Sequence, residues 1–228
     1  MDPTGDLYPG IQVVDGRFVV TFANSRTRRL YRTVITADGT VVEERVPTAE
    51  PLPSEPPPAL PDAVKKQVPA DRTVESFMVG AQGAVVVLTS RAPTFFEQLL
   101  PRQGNMVEMH RYARDGTEHR RLDVGRPSDI MGLPQVSKVA MVGHAAVVAW
   151  MTAEHDVRLT WWNLETSASG SLLLAEGAHW NTSFAVATSG EAILVAYHQA
   201  RALTPPFPAE GVAIIKTHFI KALPAEAR

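Results

Sequence analysis

The sequence has no cysteine in 228 residues. That excludes a disulfide framework, a Cys-ligated zinc or iron–sulfur site, and a thiol nucleophile. Aromatic residues are few, at 7%. No charge of one sign dominates: 22 Lys+Arg face 24 Asp+Glu, a formal net charge of -2. A balance so close to neutral argues against a nucleic-acid partner held by bulk charge. Long hydrophobic runs are missing too. The apolar run Ala84–Leu88 is strand-length, whereas a membrane span needs about 20 apolar residues. The opening MDPTGDLYPG has neither the basic nor the apolar region of a signal peptide. These features predict a cytoplasmic chain with no membrane span; an organelle lumen or a mature secreted form are the alternatives.

What the chain does have is a weak internal repeat, seen in residues 11–46, 74–124, 136–175 and 181–219. Each copy opens with a short alternating strand. A tight turn follows: Asp15-Gly16, Gln82-Gly83, Gly143-His144 or Ser189-Gly190. Then comes an apolar run: Phe18–Phe22, Ala84–Leu88, Ala145–Trp150 or Ala192–Tyr197. After a variable loop a third, alternating strand runs into Ala37-Asp38-Gly39-Thr40 in the first copy and Arg114-Asp115-Gly116-Thr117 in the second. A fourth strand leaves that turn. Asp-Gly between alternating runs is a hairpin signal, because both central residues need positive φ. A continuous apolar strand is buried on both faces, whereas an alternating one is half-exposed.

This gradient from buried inner to exposed outer strands suits the blade of a β-propeller, a four-stranded antiparallel meander packed between neighbours. The pattern resembles that of bacterial β-propeller repeat proteins over most of residues 11–219. The Trp-Asp dipeptide, the kelch double glycine and the sialidase-type Asp box are all absent, so no functional residue carries over from a named family. The predicted fold is therefore all-β: one β-propeller-like domain over residues 1–228, about four antiparallel four-stranded blades, the last blade incomplete. After Ile220 only KALPAEAR remains for a fourth strand. Closure as a four-bladed ring is the economical outcome, with self-association or a protein partner completing the last blade as the alternative.

Residues 47–72 form a Pro-rich connector inside this domain, with eight prolines between 47 and 69. Proline removes backbone donors, so the segment is no central strand; it reads as a polyproline-like spacer lying on its own blade. Short helical turns fit residues 60–67 and 94–100. Insertions at 91–106 and 199–210 fall at equivalent places in two repeats and project from one face, which often marks a binding face.

Catalytic constellations are not found. The seven His form no HExxH or HxH pair. There is no Gly-x-Ser-x-Gly elbow and no P-loop, and the acids form no repeat-linked pair suited to glycoside hydrolysis. No catalytic residue, metal ligand or cofactor is assigned. The arginine clusters at 26–32 and 111–126 read as solvated strand faces. Aromatics give the one binding signal. Aligned with the second repeat, Trp162 matches Tyr112 and Trp161 matches Arg111. That turns Trp162 inward and leaves Trp161 the more exposed. Trp161, with His179 and Trp180 ahead of the fourth repeat, makes the candidate ligand- or partner-binding set. The leading expectation is a non-enzymatic protein-interaction or structural module, a subunit of a larger assembly. The alternative is a carbohydrate- or small-ligand-binding propeller, with an enzyme site in a central channel as the third reading. Fold alone does not choose among these.

Overall fold

The structure is a computed structural model and describes residues 6–24, 27–49, 59–80, 83–94, 105–117, 119–130, 133–177, 183–200 and 213–227. Three antiparallel four-stranded sheets and one three-stranded sheet follow each other along the chain, each a simple meander. Blade one holds β1 (Asp6–Val14), β2 (Arg17–Asn24), β3 (Arg29–Ile35) and β4 (Val41–Thr48). A single helical turn, α1 (Asp62–Lys65), precedes blade two: β5 (Thr73–Val79), β6 (Val85–Arg91), β7 (Met106–Tyr112) and β8 (His119–Gly125). The small hairpin of β9 (Asp129–Ile130) and β10 (Leu133–Pro134) leads into blade three. That blade holds β11 (Ala140–Val142), β12 (Ala145–Met151), β13 (Val157–Asn163) and β14 (Ser169–Ala175). Blade four has β15 (Phe184–Ser189), β16 (Ala192–Ala200) and β17 (Ala213–Ile220).

The all-β array of blades is as the repeat predicts, including the incomplete last blade. The turn chemistry explains the register. Asp15 and Gly16 both take positive φ (49° and 72°), so β1 and β2 pair from Val14–Arg17 outward. Asp38 and Asp115 occupy equivalent turns between third and fourth strands. Each side chain accepts the backbone N–H two residues on, from Thr40 at 3.0 Å and Thr117 at 2.9 Å. Hydrogen bonds favour the charged form, for Asp38 first from the Thr36 hydroxyl and then from the Thr40 N–H, for Asp115 first from the Thr117 N–H, and both carboxyls are held below the ordinary aspartate range. In blade four the turn is one residue later than expected, at Gly190-Glu191.

The second strands of blades two, three and four are buried on both faces because each lies between two covering layers, whereas β2 alternates buried with partly exposed residues. Ala146, Val148, Trp150 and Trp162 of blade three pack on Val86, Leu88, Val107 and Met109 of blade two. The other face of blade three, with Ala145, Val147, Leu159 and Trp161, packs on Ile193, Val195 and Tyr197 of blade four. The far face of blade four, with Ala192, Leu194 and Ala196, packs on Phe18, Val20 and Phe22 of blade one. The packing order is thus one, four, three, two. Complete burial of each such aliphatic side chain stabilises by about 1.5–3 kcal/mol.

Among the described residues no hydrophobic cluster joins blades one and two. The second half of the connector fills that place on blade two. Val64 of α1 is fully buried against Val85, Val87 and Tyr112, with Leu60, Val68 and Phe77 around it. A Cβ on Gly116 would stand 3.0 Å from the Ala63 carbonyl oxygen, so only glycine lets α1 sit this close to the β7–β8 turn. Residues 59–72 of the spacer therefore lie on blade two, whereas Pro47 and Thr48, expected in the connector, end β4 of blade one and pair with Tyr31 and Leu30. Residues 50–58 and 95–104 fall outside the described residues. The tail after β17 does not finish blade four. It turns back as a 3-10 turn, Ala225–Ala227, burying Leu223 and Ala227 in the cluster between blades three and four. Among the described residues no helix is long and apolar enough to cross a membrane.

Candidate functional site

Of the aromatic candidates, His179 and Trp180 lie outside the described residues. Trp161 is described, and its expected exposure is corrected: it is 5% exposed, and Trp162 3%. Neighbouring strand residues do face opposite ways, but blade three is covered on both faces, by blade four over Trp161 and blade two over Trp162. The match of Trp162 with Tyr112 and of Trp161 with Arg111 holds in the packing: Tyr112 faces the connector and Trp162 faces blade two, while Arg111 reaches blade three as Trp161 reaches blade four. The indole of Trp161 sits on Gly170, where a Cβ would approach Cζ2 to 2.7 Å. It is a core residue and offers no stacking surface to a ligand.

Polar side chains converge instead at the end of the blades that carries the first and third turns. Leu164 and Glu165 follow β13, and Gly143 and His144 join β11 to β12. His144 Nδ1 lies 2.9 Å from Glu165 Oε1, and both side chains are about half exposed. The Glu165 backbone is fixed by Asn163, whose Oδ1 accepts its N–H at 2.9 Å. Arg111 of blade two reaches across and donates from Nη1 to the Leu164 carbonyl at 2.6 Å. The Leu164 N–H donates to the His144 carbonyl at 2.9 Å. Blades two and three are tied together at this point.

A cleft of about 280 Å³ opens between these two blades, lined by Ala84, Arg111, Met141, His144, Leu164 and Glu165. A second, of about 240 Å³, lies between blades three and four; Val142, Gly143, His144, Glu191, Leu223 and Ala227 line it. Apolar floors with a few converging polar groups are the usual make-up of small-ligand sites. An imidazole whose Nδ1 donates to a carboxylate keeps Nε2 as its basic nitrogen. The pair can therefore orient a ligand hydroxyl. No sequence motif singles out His144, since the seven His form no HExxH or HxH pair. The signal that points to it is topological: first and third turns of one meander share an end, which brings Glu165 to His144 across 21 residues.

A second polar group is buried at the other end of blade two. Arg72, at the end of the connector, forms an ion pair with Glu108, whose side chain is only 4% exposed. His110 Nε2 stands 3.4 Å from the same carboxylate oxygen, and the His110 and Tyr112 rings stack 6.2 Å apart. Burial pushes the Tyr112 hydroxyl above its ordinary range, and the nearby Arg72 charge opposes this. The group locks the connector to blade two. Among the described residues no three His, Asp or Glu side chains are grouped to hold a metal ion.

No family model matches the chain, and no curated protein matches it. Solved structures do. A thermostable family-43 glycoside hydrolase aligns over 93% of this chain and 71% of its own, at 10% identity and a TM-score of 0.40. A GH43 β-xylosidase/α-arabinofuranosidase from a compost microbial metagenome aligns over 99% and 74%, at 11% identity and a TM-score of 0.39. An α-L-arabinofuranosidase from Fusarium graminearum aligns over 97% and 64%, at 12% identity and a TM-score of 0.41. The likeness is one of general architecture. The expectations of a non-enzymatic interaction or structural module, and of no enzyme, are corrected: the solved structures that align are named as glycoside hydrolases and glycosidases, and neither expectation stands.

Proposed function

We propose that the chain binds a small hydroxylated ligand of the sugar or polyol class in the cleft between blades two and three. One observation carries the reading: the His144–Glu165 pair and the Arg111 guanidinium edge a cleft whose floor is apolar. Such a ligand presents hydroxyls to a carboxylate and an imidazole, and C–H faces to Met141 and Ala84. At about 280 Å³ the cleft lies just below the usual size of a small-molecule pocket, so its ligand is a small one. The lining comes from β7, β11 and the turns beside them, and these turns are held by the Arg111 and Asn163 hydrogen bonds, so the site is preformed and little ordering opposes binding.

Ligand-observed NMR and calorimetry against a panel of monosaccharides and polyols test this. At least one should give saturable binding that Glu165→Gln weakens by about tenfold or more, the loss of one well-placed charged hydrogen bond. Absence of binding across the panel, or binding indifferent to Glu165→Gln and His144→Ala, would refute it.

A further inference from the structure

The two clefts share a wall. Gly143 and His144 line both, so only the β11–β12 turn stands between the space on the blade-two side and that on the blade-four side. Neither cleft alone reaches the roughly 300–1,000 Å³ usual for a small-molecule site, while together they fall inside that range. We propose that they are two subsites of one groove that crosses the end of blade three and takes a ligand of two linked rings, such as a disaccharide. The inference rests on the sugar-binding reading above and extends it to a second subsite.

The subsites differ in chemistry. The first combines the Glu165 carboxylate with the Arg111 guanidinium. In the second, Glu191 is the one acidic side chain among the described lining residues, and Leu223 and Ala227 form an apolar back wall. A carboxylate only accepts hydrogen bonds, so the second ring is selected for its hydroxyl donors. The groove is rigid around it. Thr188 Oγ1 donates to the Met141 carbonyl at 2.7 Å, joining blade four to blade three. Asn163 Nδ2 donates to the Ala227 carbonyl at 3.3 Å and holds the tail in place. His144, between the subsites, is placed to meet the linkage between the rings.

The test compares glucose with cellobiose and maltose, and xylose with xylobiose, by calorimetry on the full chain. At least one disaccharide should bind about tenfold or more tightly than its monosaccharide, because the second ring binds without a second loss of free motion. Glu191→Gln should abolish that gain and leave monosaccharide affinity unchanged, whereas Glu165→Gln weakens both. Melting curves confirm that the variants fold. A disaccharide no tighter than its monosaccharide, or a Glu191→Gln effect equal on both, overturns the second subsite while sparing the first. If no sugar binds, the underlying reading falls, and the groove with it.

Discussion

At the scale of single residues, the most informative side chain is Trp161. Its ring fills the space over Gly170 and belongs to the cluster between blades three and four. Trp161→Ala should therefore lower stability by about 3–5 kcal/mol, the usual cost of emptying a buried aromatic site. Gly170→Ala drives a methyl into the same ring and should cost about 1–3 kcal/mol through overpacking. Urea unfolding followed by fluorescence measures both. A surface tryptophan waiting for a ligand would show neither loss.

The connector sets the scale of elements. Its end is fixed by Arg72 on Glu108, in a place where the Arg72 side chain is 10% and the Glu108 side chain 4% exposed. Removing one partner of a buried pair leaves the other charge without compensation. Arg72→Ala is expected to destabilise by about 3–5 kcal/mol, and Arg72→Met with Glu108→Leu to recover most of that loss. Equilibrium unfolding of the single and double variants reads the difference. Elements were also where the sequence was most and least legible. Asp15-Gly16 and the twin Asp-Gly-Thr turns announce hairpins through local backbone demands, and uninterrupted apolar runs such as Val85–Leu88 announce strands covered on both sides. The burial of Trp161 was not legible, because strand alternation gives the face of a residue but not that blade four covers that face. Nor could composition show where the connector lies. Val64 reads as one apolar residue among prolines, and its partners Val85 and Tyr112 come from inner strands of the sheet that follows, which composition does not connect with it. The His144–Glu165 pair escaped for the same reason, since its partners come from different turns.

For the whole molecule, blade four is the hub that joins first and third blades, and one contact within its own sheet titrates. Tyr197 on β16 and His218 on β17 stack at 5.5 Å, with Tyr197 Oη 3.1 Å from His218 Nε2. Burial, aided by the charge of Lys216, holds the His218 imidazole below its ordinary range. The unfolded chain then binds this proton more readily than the folded one. The stability tied to neutral His218 is complete above about pH 6.5 and is lost as pH falls from there through the lowered value. Melting temperatures taken from pH 7.5 to 5 should decline more for the native chain than for His218→Gln. Parallel curves would rule out this contribution.

The packing order has a consequence in time. Phe18, Val20 and Phe22 are covered by Ala192, Leu194 and Ala196, which leave the ribosome well over a hundred residues later. At ~5–20 residues per second the first sheet stays uncovered on that side for roughly 10–30 s. During synthesis its apolar face is shielded by whatever the nascent chain or its attendants provide. Slowing translation before residue 192 should lengthen that window and raise the aggregated fraction, while the same pause after blade four has emerged should not.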